Sequence, residues 1–288
     1  MRTFTLIIVL ILSASVQAQS VLDSALYTQA DADIFEDIIA RFSSQSEQPV
    51  GVLIPEIGRY FLGDTYVSHT LEVSDKEQLI LNLREMDCTT YAENLFALAR
   101  TLKSEQHTFE QFAKELTSIR YRNGILNQYP SRLHYFSDWI YSNRDQQLVS
   151  TPADSFGQPF PNVVNFMSTH PDSYRHLSDN SEFVGTIKEQ ESEINSSSYW
   201  YIPKESIATY EADLQEGDII GLTTSIKGLD VAHVGVIVEV NGRMHLMHAS
   251  QSNQKVEISK EPISSFLKPE SKNTGIMVAR PLDVENHD

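Results

Sequence analysis

VAHVGVIVEVNGRMHLMHAS, Val231 to Ser250, is the stretch that decides the fold of this chain. Valine, isoleucine and methionine fill both arms, and Asn241-Gly242 sits between them. A type I′ hairpin turn needs two residues that tolerate positive φ, so Asn-Gly between apolar runs predicts two antiparallel strands. With a two-residue loop Val240 faces Arg243, which sets Gly235 opposite His248 and His233 opposite Ser250. Opposed residues share a face, as do alternate residues along a strand. His233 and His248 are then diagonal neighbours on one side of the ribbon. His245, opposite Val238, points to the other side.

Further strands flank this hairpin. GDIIGLTT (Gly217 to Thr224) precedes it, and KVEIS (Lys255 to Ser259) and GIMVARP (Gly275 to Pro281) follow, around a short helix from Pro262 to Phe266. The first half of the chain carries a different period. ADADIFEDIIARF (Ala30 to Phe42) puts Ile34, Ile38, Ile39 and Phe42 on one helical face, and Ile54 to Leu62 and FEQFAKELTSIRY (Phe109 to Tyr121) read as further helices. Helices first and an antiparallel sheet last define an α+β class. Val149 to Glu216 is rich in Pro, Ser, Asn and Asp, with helical hints around Thr169 to Leu177 and Glu205 to Leu214. It reads as part of a large, mostly helical insertion, roughly residues 103–215, within a single domain spanning 19–288.

MDCTTYAENLFALAR, Met86 to Arg100, contains the chain's one cysteine. Cys88, Tyr91, Leu95, Leu98 and Leu102 follow the spacing of one helical face, and Asp87 is the expected N-cap. A thiol in the first turn feels the positive end of the helix dipole, which favours thiolate. A thiol, an imidazole and a second group that orients the imidazole make a generalised nucleophilic triad. Cys88, His233 and His248 have those chemistries, with His233 as base and His248 fixing its tautomer. Gly235 leaves space beside the pair. A two-histidine metal site lacks a third ligand of suitable spacing, so no metal or cofactor is expected.

Several stretches can supply cleft walls. GDTYVSHTLE (Gly63 to Glu72) presents Tyr66. YRNGILNQYPSRLHYFSDWIYSNRD crowds together Arg132, His134, Tyr135 and Trp139, and YWYIPKES (Tyr199 to Ser206) adds Tyr201 and Lys204. Flat rings with a few hydrogen-bonding groups suit a carbohydrate or peptide ligand.

The chain opens MRTFTLIIVLILSASVQAQS. Arg2, an apolar run from Leu6 to Leu12 and the small-residue pattern Val16-Gln17-Ala18 predict a secretory signal peptide cut after Ala18, shorter than a membrane span. A lone cysteine permits no internal disulfide and no cysteine-rich zinc site. The formal charge is −17, from 22 basic and 39 acidic residues. Nucleic acid and anionic membrane surfaces repel such a chain. No membrane anchor and no obligate protein partner are expected.

The ordered set of DC at a helix start, a later GDII strand, HVG and then HAS resembles the NlpC-type cell-wall hydrolases, a papain-like superfamily. The longer strings TYVSHTLE, NLREMDCTTYAENLFALA, SRLHYFSDWI, YIPK and GLDVAHVGV are similar to one branch, long catalogued as a domain of unknown function, that includes N-acetylmuramoyl-L-alanine amidases. Together they run from about Leu62 to Pro281. Threonines follow Cys88 where the wider superfamily usually has serine and glycine.

The resemblance implies a papain-like fold with the nucleophile's helix packed on the C-terminal sheet. It implies Cys88 as nucleophile, His233 as base, His248 as orienting residue and Tyr66 as oxyanion donor. The implied substrates are muropeptides, small or anhydro forms, cut between N-acetylmuramic acid and L-alanine, in a periplasm. Three alternatives stay open: an endopeptidase cutting between γ-D-glutamate and the diamino acid, a non-catalytic muropeptide-binding protein on the same fold, and a cysteine acyltransferase.

Overall fold

The computed structural model describes residues 20–284. The leader expected over residues 1–18 lies outside them. Helices α1 (Gln29–Phe42), α2 (Val50–Tyr60), α3 (Cys88–Lys103), α4 (Phe109–Arg120) and α5 (Phe136–Asp145) come first. The middle of the chain adds two-residue strands β1 (Val149–Ser150) and β2 (Gln158–Pro159), then one turn of helix α6 (Phe166–Thr169). The longer α7 (Ser181–Ser196), strand β3 (Trp200–Pro203) and short α8 (Ile207–Tyr210) complete it. The end is β-rich: β4 (Ile219–Thr224), β5 (Val231–Val240), β6 (Arg243–Ser250) and β7 (Lys255–Ile258), then one turn α9 (Ile263–Phe266) and β8 (Asn273–Pro281).

Neighbouring strands follow the order β2-β3-β8-β4-β5-β6-β7, all paired antiparallel, with β1 added beside β8. The class is α+β, as the two periodicities require. Residues alternate across this sheet with period two. Val234, Val236, Val238, Met247, Ala249 and Val256 face the large core built with the N-terminal helices. Ile220, Leu222, Ile237 and Leu246 face a smaller cluster closed by Ile263 and Leu267.

The hairpin has the expected register. Asn241 (φ 53°) and Gly242 (φ 76°) form the turn, and Val240 pairs with Arg243. The β5–β6 ladder ends at Val236 opposite Met247. α3 packs against both strands.

Two local readings differ from the structure. α3 is buried on every side from Thr90 to Leu102, not on one stripe. Its polar residues are partnered internally: Glu93 accepts from Arg120 at 2.7 Å, Glu115 accepts from Arg100 at 2.6 Å, and Asn94 donates to the Asn82 carbonyl at 2.9 Å. Those partners lie 12 or more residues away, so heptad-style spacing could not reveal them. The second difference is α7, which the expected hints at Thr169 to Leu177 miss. Asn180 caps it by accepting from the Phe183 amide, and Ile187 and Ile194 bury one face in a third cluster with Tyr129 and Tyr135. Within 103–215, α4 and α5 pack into the main core through residues such as Leu116, Ile119 and Trp139.

Candidate active site

Asp87 places the cysteine. Its Oδ1 accepts from the amides of Thr89 (3.1 Å) and Thr90 (2.8 Å), while Thr90 Oγ1 accepts from the Asp87 amide (2.9 Å). This reciprocal cap fixes the first turn of α3 and hence Cys88. The preceding segment is anchored as well. Tyr66 bridges Met86, its amide donates to the Gln254 carbonyl (3.1 Å), and the Val67 amide donates to the Met86 carbonyl (3.0 Å). Tyr66 is thereby held against the residues that lead into Cys88.

The two histidines meet as diagonal neighbours. His233 Nε2 and His248 Nδ1 are 2.7 Å apart, and the rings lie edge to face at 4.8 Å and 88°. Gly235 makes this approach feasible: a Cβ there would come within 3.0 Å of His248 Cβ and 2.9 Å of the Met247 carbonyl oxygen. His245 lies on the other face, its Nδ1 2.8 Å from the Ser259 carbonyl. Cys88 and His233 both line one cavity of about 180 Å³. The sulfur lies against the backbone amides of Val234 and Thr89, so it reaches the strand at the residue after His233. Among the described residues no hydrogen bond joins Sγ to His233. The sulfur's side-chain hydrogen-bond partner among the described residues is Thr89 Oγ1, at 4.0 Å.

Electrostatics here oppose a preformed ion pair. Burial, then the Asp87 carboxylate, push the Cys88 thiol up to about 11, against the downward pull of the Val234 and Thr89 amides. The N-cap that positions the cysteine therefore also works against the dipole that sequence reasoning credited with making thiolate. Burial lowers His233 to about 4. Burial and the neighbouring His233 lower His248 to about 3, while Glu257 pulls it upward. At neutral pH the resting site holds a thiol and two neutral imidazoles. Tyr66 is pushed up to about 12 by burial and by the charges of Cys88 and Asp87, so its hydroxyl remains a hydrogen-bond donor.

The other expected wall residues divide. His134 lines the cavity, with Nε2 3.0 Å from the Tyr129 carbonyl and its ring 4.4 Å from that of Tyr129. Burial and the Arg132 charge lower it to about 3, so it too is neutral. Tyr135 lines the cavity, but its hydroxyl is committed, donating to Glu191 (2.7 Å) and accepting from the Met167 amide (2.8 Å). Trp139 touches the cavity while stacking on Phe136 at 5.5 Å, and at 3% exposure it offers no open ring face.

Arg132, Tyr201 and Lys204 do not line it. Arg132 is buried and its guanidinium is taken by Glu72 (2.5 Å) and Glu77 (3.5 Å). Tyr201 and Lys204 follow β3 to the far part of the sheet, where Tyr201 meets Phe160 edge-on and Lys204 Nζ reaches the Glu270 carbonyl (3.3 Å). Polar-aromatic clustering alone could not separate a cleft from a salt-bridged interior.

Other cavity residues carry little in the sequence that points to the site. Met167, Tyr174 and Leu229 help to line it. Asp230 also lines it and accepts from the Ser137 amide (2.7 Å) and hydroxyl (2.8 Å). That carboxylate caps α5 from a distance, because the helix's own N-cap, Tyr135, supplies no side-chain bond. Its place in the sequence, just before β5, was the available signal. Among the described residues no group of three His, Cys, Asp or Glu is arranged to hold a metal ion, and no helix is long and apolar enough to cross a membrane.

The fold and site define an α+β protein in which a cysteine at a helix N-terminus and a paired histidine face a common cavity. The chain belongs to the N-acetylmuramoyl-L-alanine amidase-like (AmiA-like) family, whose profile matches residues 56–276. A solved N-acetylmuramoyl-L-alanine amidase from Bacteroides uniformis is 36% identical, with a TM-score of 0.75 over 81% of this chain and 99% of that one. A Bacteroides fragilis structure with a provisional xylanase name is 37% identical, with a TM-score of 0.71 over 77% of this chain and 98% of that one. A Legionella pneumophila protein of the DUF1460 family shares the fold at 19% identity, with a TM-score of 0.65 over 88% of this chain and 97% of that one. No curated protein matches the chain significantly.

Proposed function

We propose that this protein is a cysteine amidase that hydrolyses the amide between the lactyl group of N-acetylmuramic acid and L-alanine in muropeptides, small or anhydro forms in particular. The observation that supports this is that Cys88 and His233 line one cavity while His233 is paired with His248 behind it, in a chain of the amidase-like family. The NlpC-type, papain-like arrangement is part of the same proposal. So is export to a periplasm after removal of residues 1–18, which N-terminal sequencing of the mature protein would check.

The chemistry follows from the neutral resting site. His233 engages His248 through Nε2, which leaves Nδ1 to take the proton of Cys88. With the thiol near 11 and the imidazole near 4, the ion pair forms as attack proceeds, not before it. The sulfur adds to the lactyl carbonyl. The developing oxyanion is met by the Tyr66 hydroxyl and the Cys88 amide at the helix N-terminus, worth about 3 kcal/mol per donor. His233 then protonates the departing L-alanine nitrogen, leaving a thioester on Cys88. Water, deprotonated by His233, attacks the thioester carbonyl, and the sulfur leaves and recovers its proton.

A glycosidase would require two free carboxyl groups about 5–9.5 Å apart across a sugar. The carboxylates on this cavity are Glu93, bound to Arg120, and Asp230, bound to Ser137. Both are engaged in holding helices, which argues against a sugar-cleaving role. Mass spectrometry of a defined muropeptide after incubation with the protein tests the bond. Free stem peptide is the amidase product, whereas a released sugar–dipeptide identifies an endopeptidase. Cys88→Ala should abolish either; turnover unchanged in that variant refutes the cysteine mechanism.

A further inference from the structure

The hydrogen count of the histidine pair leaves one proton unaccounted for. If His233 accepts from Cys88 at Nδ1, its own hydrogen sits on Nε2 and is donated to His248 Nδ1 across 2.7 Å. A neutral His248 with Nδ1 accepting carries its hydrogen on Nε2. That nitrogen is buried, and among the described residues it has no hydrogen-bond partner. Unpaired buried donors are rare in folded proteins, and each calls for a cause.

The candidate acceptor is Glu257, although no hydrogen bond joins it to His248 in the resting structure. It is directly opposite His248 in the β6–β7 ladder, so the two side chains rise from the same face with Cβ atoms about 4.5–5.5 Å apart. Its Oε1 accepts from Asn253 Nδ2 at 2.6 Å, and among the described residues Oε2 takes no hydrogen bond. Phe266 of α9 places an uncharged ring 5.7 Å from that of His248. The titratable groups facing His248 are His233 from β5 and Glu257 from β7; Lys255, two residues along β7, is exposed and opposite Ser250. Only Glu257 brings negative charge, and it already pulls the His248 pKa upward.

We propose, resting on the cysteine mechanism above, that Glu257 is a positioning residue whose free carboxylate oxygen accepts the His248 Nε2 hydrogen as His233 becomes imidazolium. Before the reaction its charge favours the hydrogen on His248 Nε2, which leaves His248 Nδ1 to accept and so favours the tautomer of His233 that can act as a base. No proton is transferred to Glu257: the hydrogen stays on His248, and the carboxylate contributes a bond and a compensating charge. A histidine partner alone would be neutral and ambiguous in tautomer, and Glu257 removes that ambiguity.

The test compares wild type with Glu257→Gln, Glu257→Asp and Phe266→Leu in stem-peptide release from a defined muropeptide across pH, with thermal midpoints alongside. Glu257→Gln should lower kcat by about tenfold, comparable to the low end of what losing the outer partner of a metal-bound histidine costs, with KM and the thermal midpoint little changed. Its acid limb should move to lower pH, because the imidazolium loses its counter-charge. Glu257→Asp should recover part of both. Nitrogen-15 NMR of His248 gives a readout independent of turnover: Nε2 protonated in wild type, and a lowered apparent pKa for the pair in Glu257→Gln. Wild-type kcat, acid limb and imidazole titration in Glu257→Gln would overturn the proposal. So would a shift produced by Phe266→Leu and not by Glu257→Gln. Those results leave a Cys88-dependent reaction standing, whereas turnover by Cys88→Ala would overturn both proposals.

Discussion

Gly235→Ala tests the link between fold and site with one methyl group. An ideal Cβ at this position would lie 2.7 Å from Leu246 Cδ1, 2.9 Å from the Met247 carbonyl oxygen and 3.0 Å from His248 Cβ. The Leu246 methyl can rotate away, but the other two atoms are backbone or fixed to it. Ordinary contact needs about 3.4 Å, so β6 must retreat from β5 by several tenths of an ångström. Overpacking of this kind costs about 1–3 kcal/mol. For a domain of this size that lowers Tm by about 2–4 °C per kcal/mol. The site suffers more than the fold. His233 and His248 touch at 2.7 Å, and a separation of several tenths stretches the bond to the end of its useful range, about 3.2 Å. Calorimetry should therefore show a folded protein with a modestly lowered midpoint. Muropeptide hydrolysis at 25 °C should fall by more than tenfold with little change in KM. Alkylation of Cys88, which needs no histidine pair, should proceed as in wild type. A Gly235→Ala protein with wild-type kcat would refute the requirement that the imidazoles stay in contact.

Alkylation of Cys88 in the free protein by iodoacetamide should rise toward an alkaline midpoint near 11, with no thiolate plateau at neutral pH. Asp87→Asn keeps a good cap but removes the charge beside the sulfur, so alkylation at pH 8 should accelerate several-fold with little loss of stability. His134, His233 and His248 are lowered to about 3, 4 and 3, so the unfolded chain binds protons that the folded chain does not. Their stabilising effect is complete above about pH 6.5 and is lost as pH falls toward 4 and below, each tenfold weakening of proton binding being worth about 1.4 kcal/mol. Urea midpoints between pH 8 and 4 would show the decline, and an unchanged midpoint would count against neutral buried imidazoles. Arg120→Met strands the Glu93 carboxylate inside the core and should cost about 3–5 kcal/mol by urea denaturation, unless Glu93 is made Gln in the same protein.

The hairpin and the helix cap were legible in the chain because both are local. Asn241-Gly242 dictates its own backbone, and a two-residue loop leaves one register, so the shared side of His233 and His248 follows from counting. Asp87 caps the helix that begins at the very next residue, so Cys88 could be placed at its N-terminus from adjacent residues alone. Distant contacts were not accessible in this way. Arg132 looks like a ligand-binding cation until the fold brings Glu72 and Glu77 to it, 60 and 55 residues away in the chain. Glu257 looks like an ordinary strand carboxylate until β7 sets it opposite a buried nitrogen. The protonation of Cys88 was decided in the same manner. The sequence carries the helix dipole, whereas burial, the stronger influence and of opposite sign, exists only after helices and sheet have closed around the sulfur.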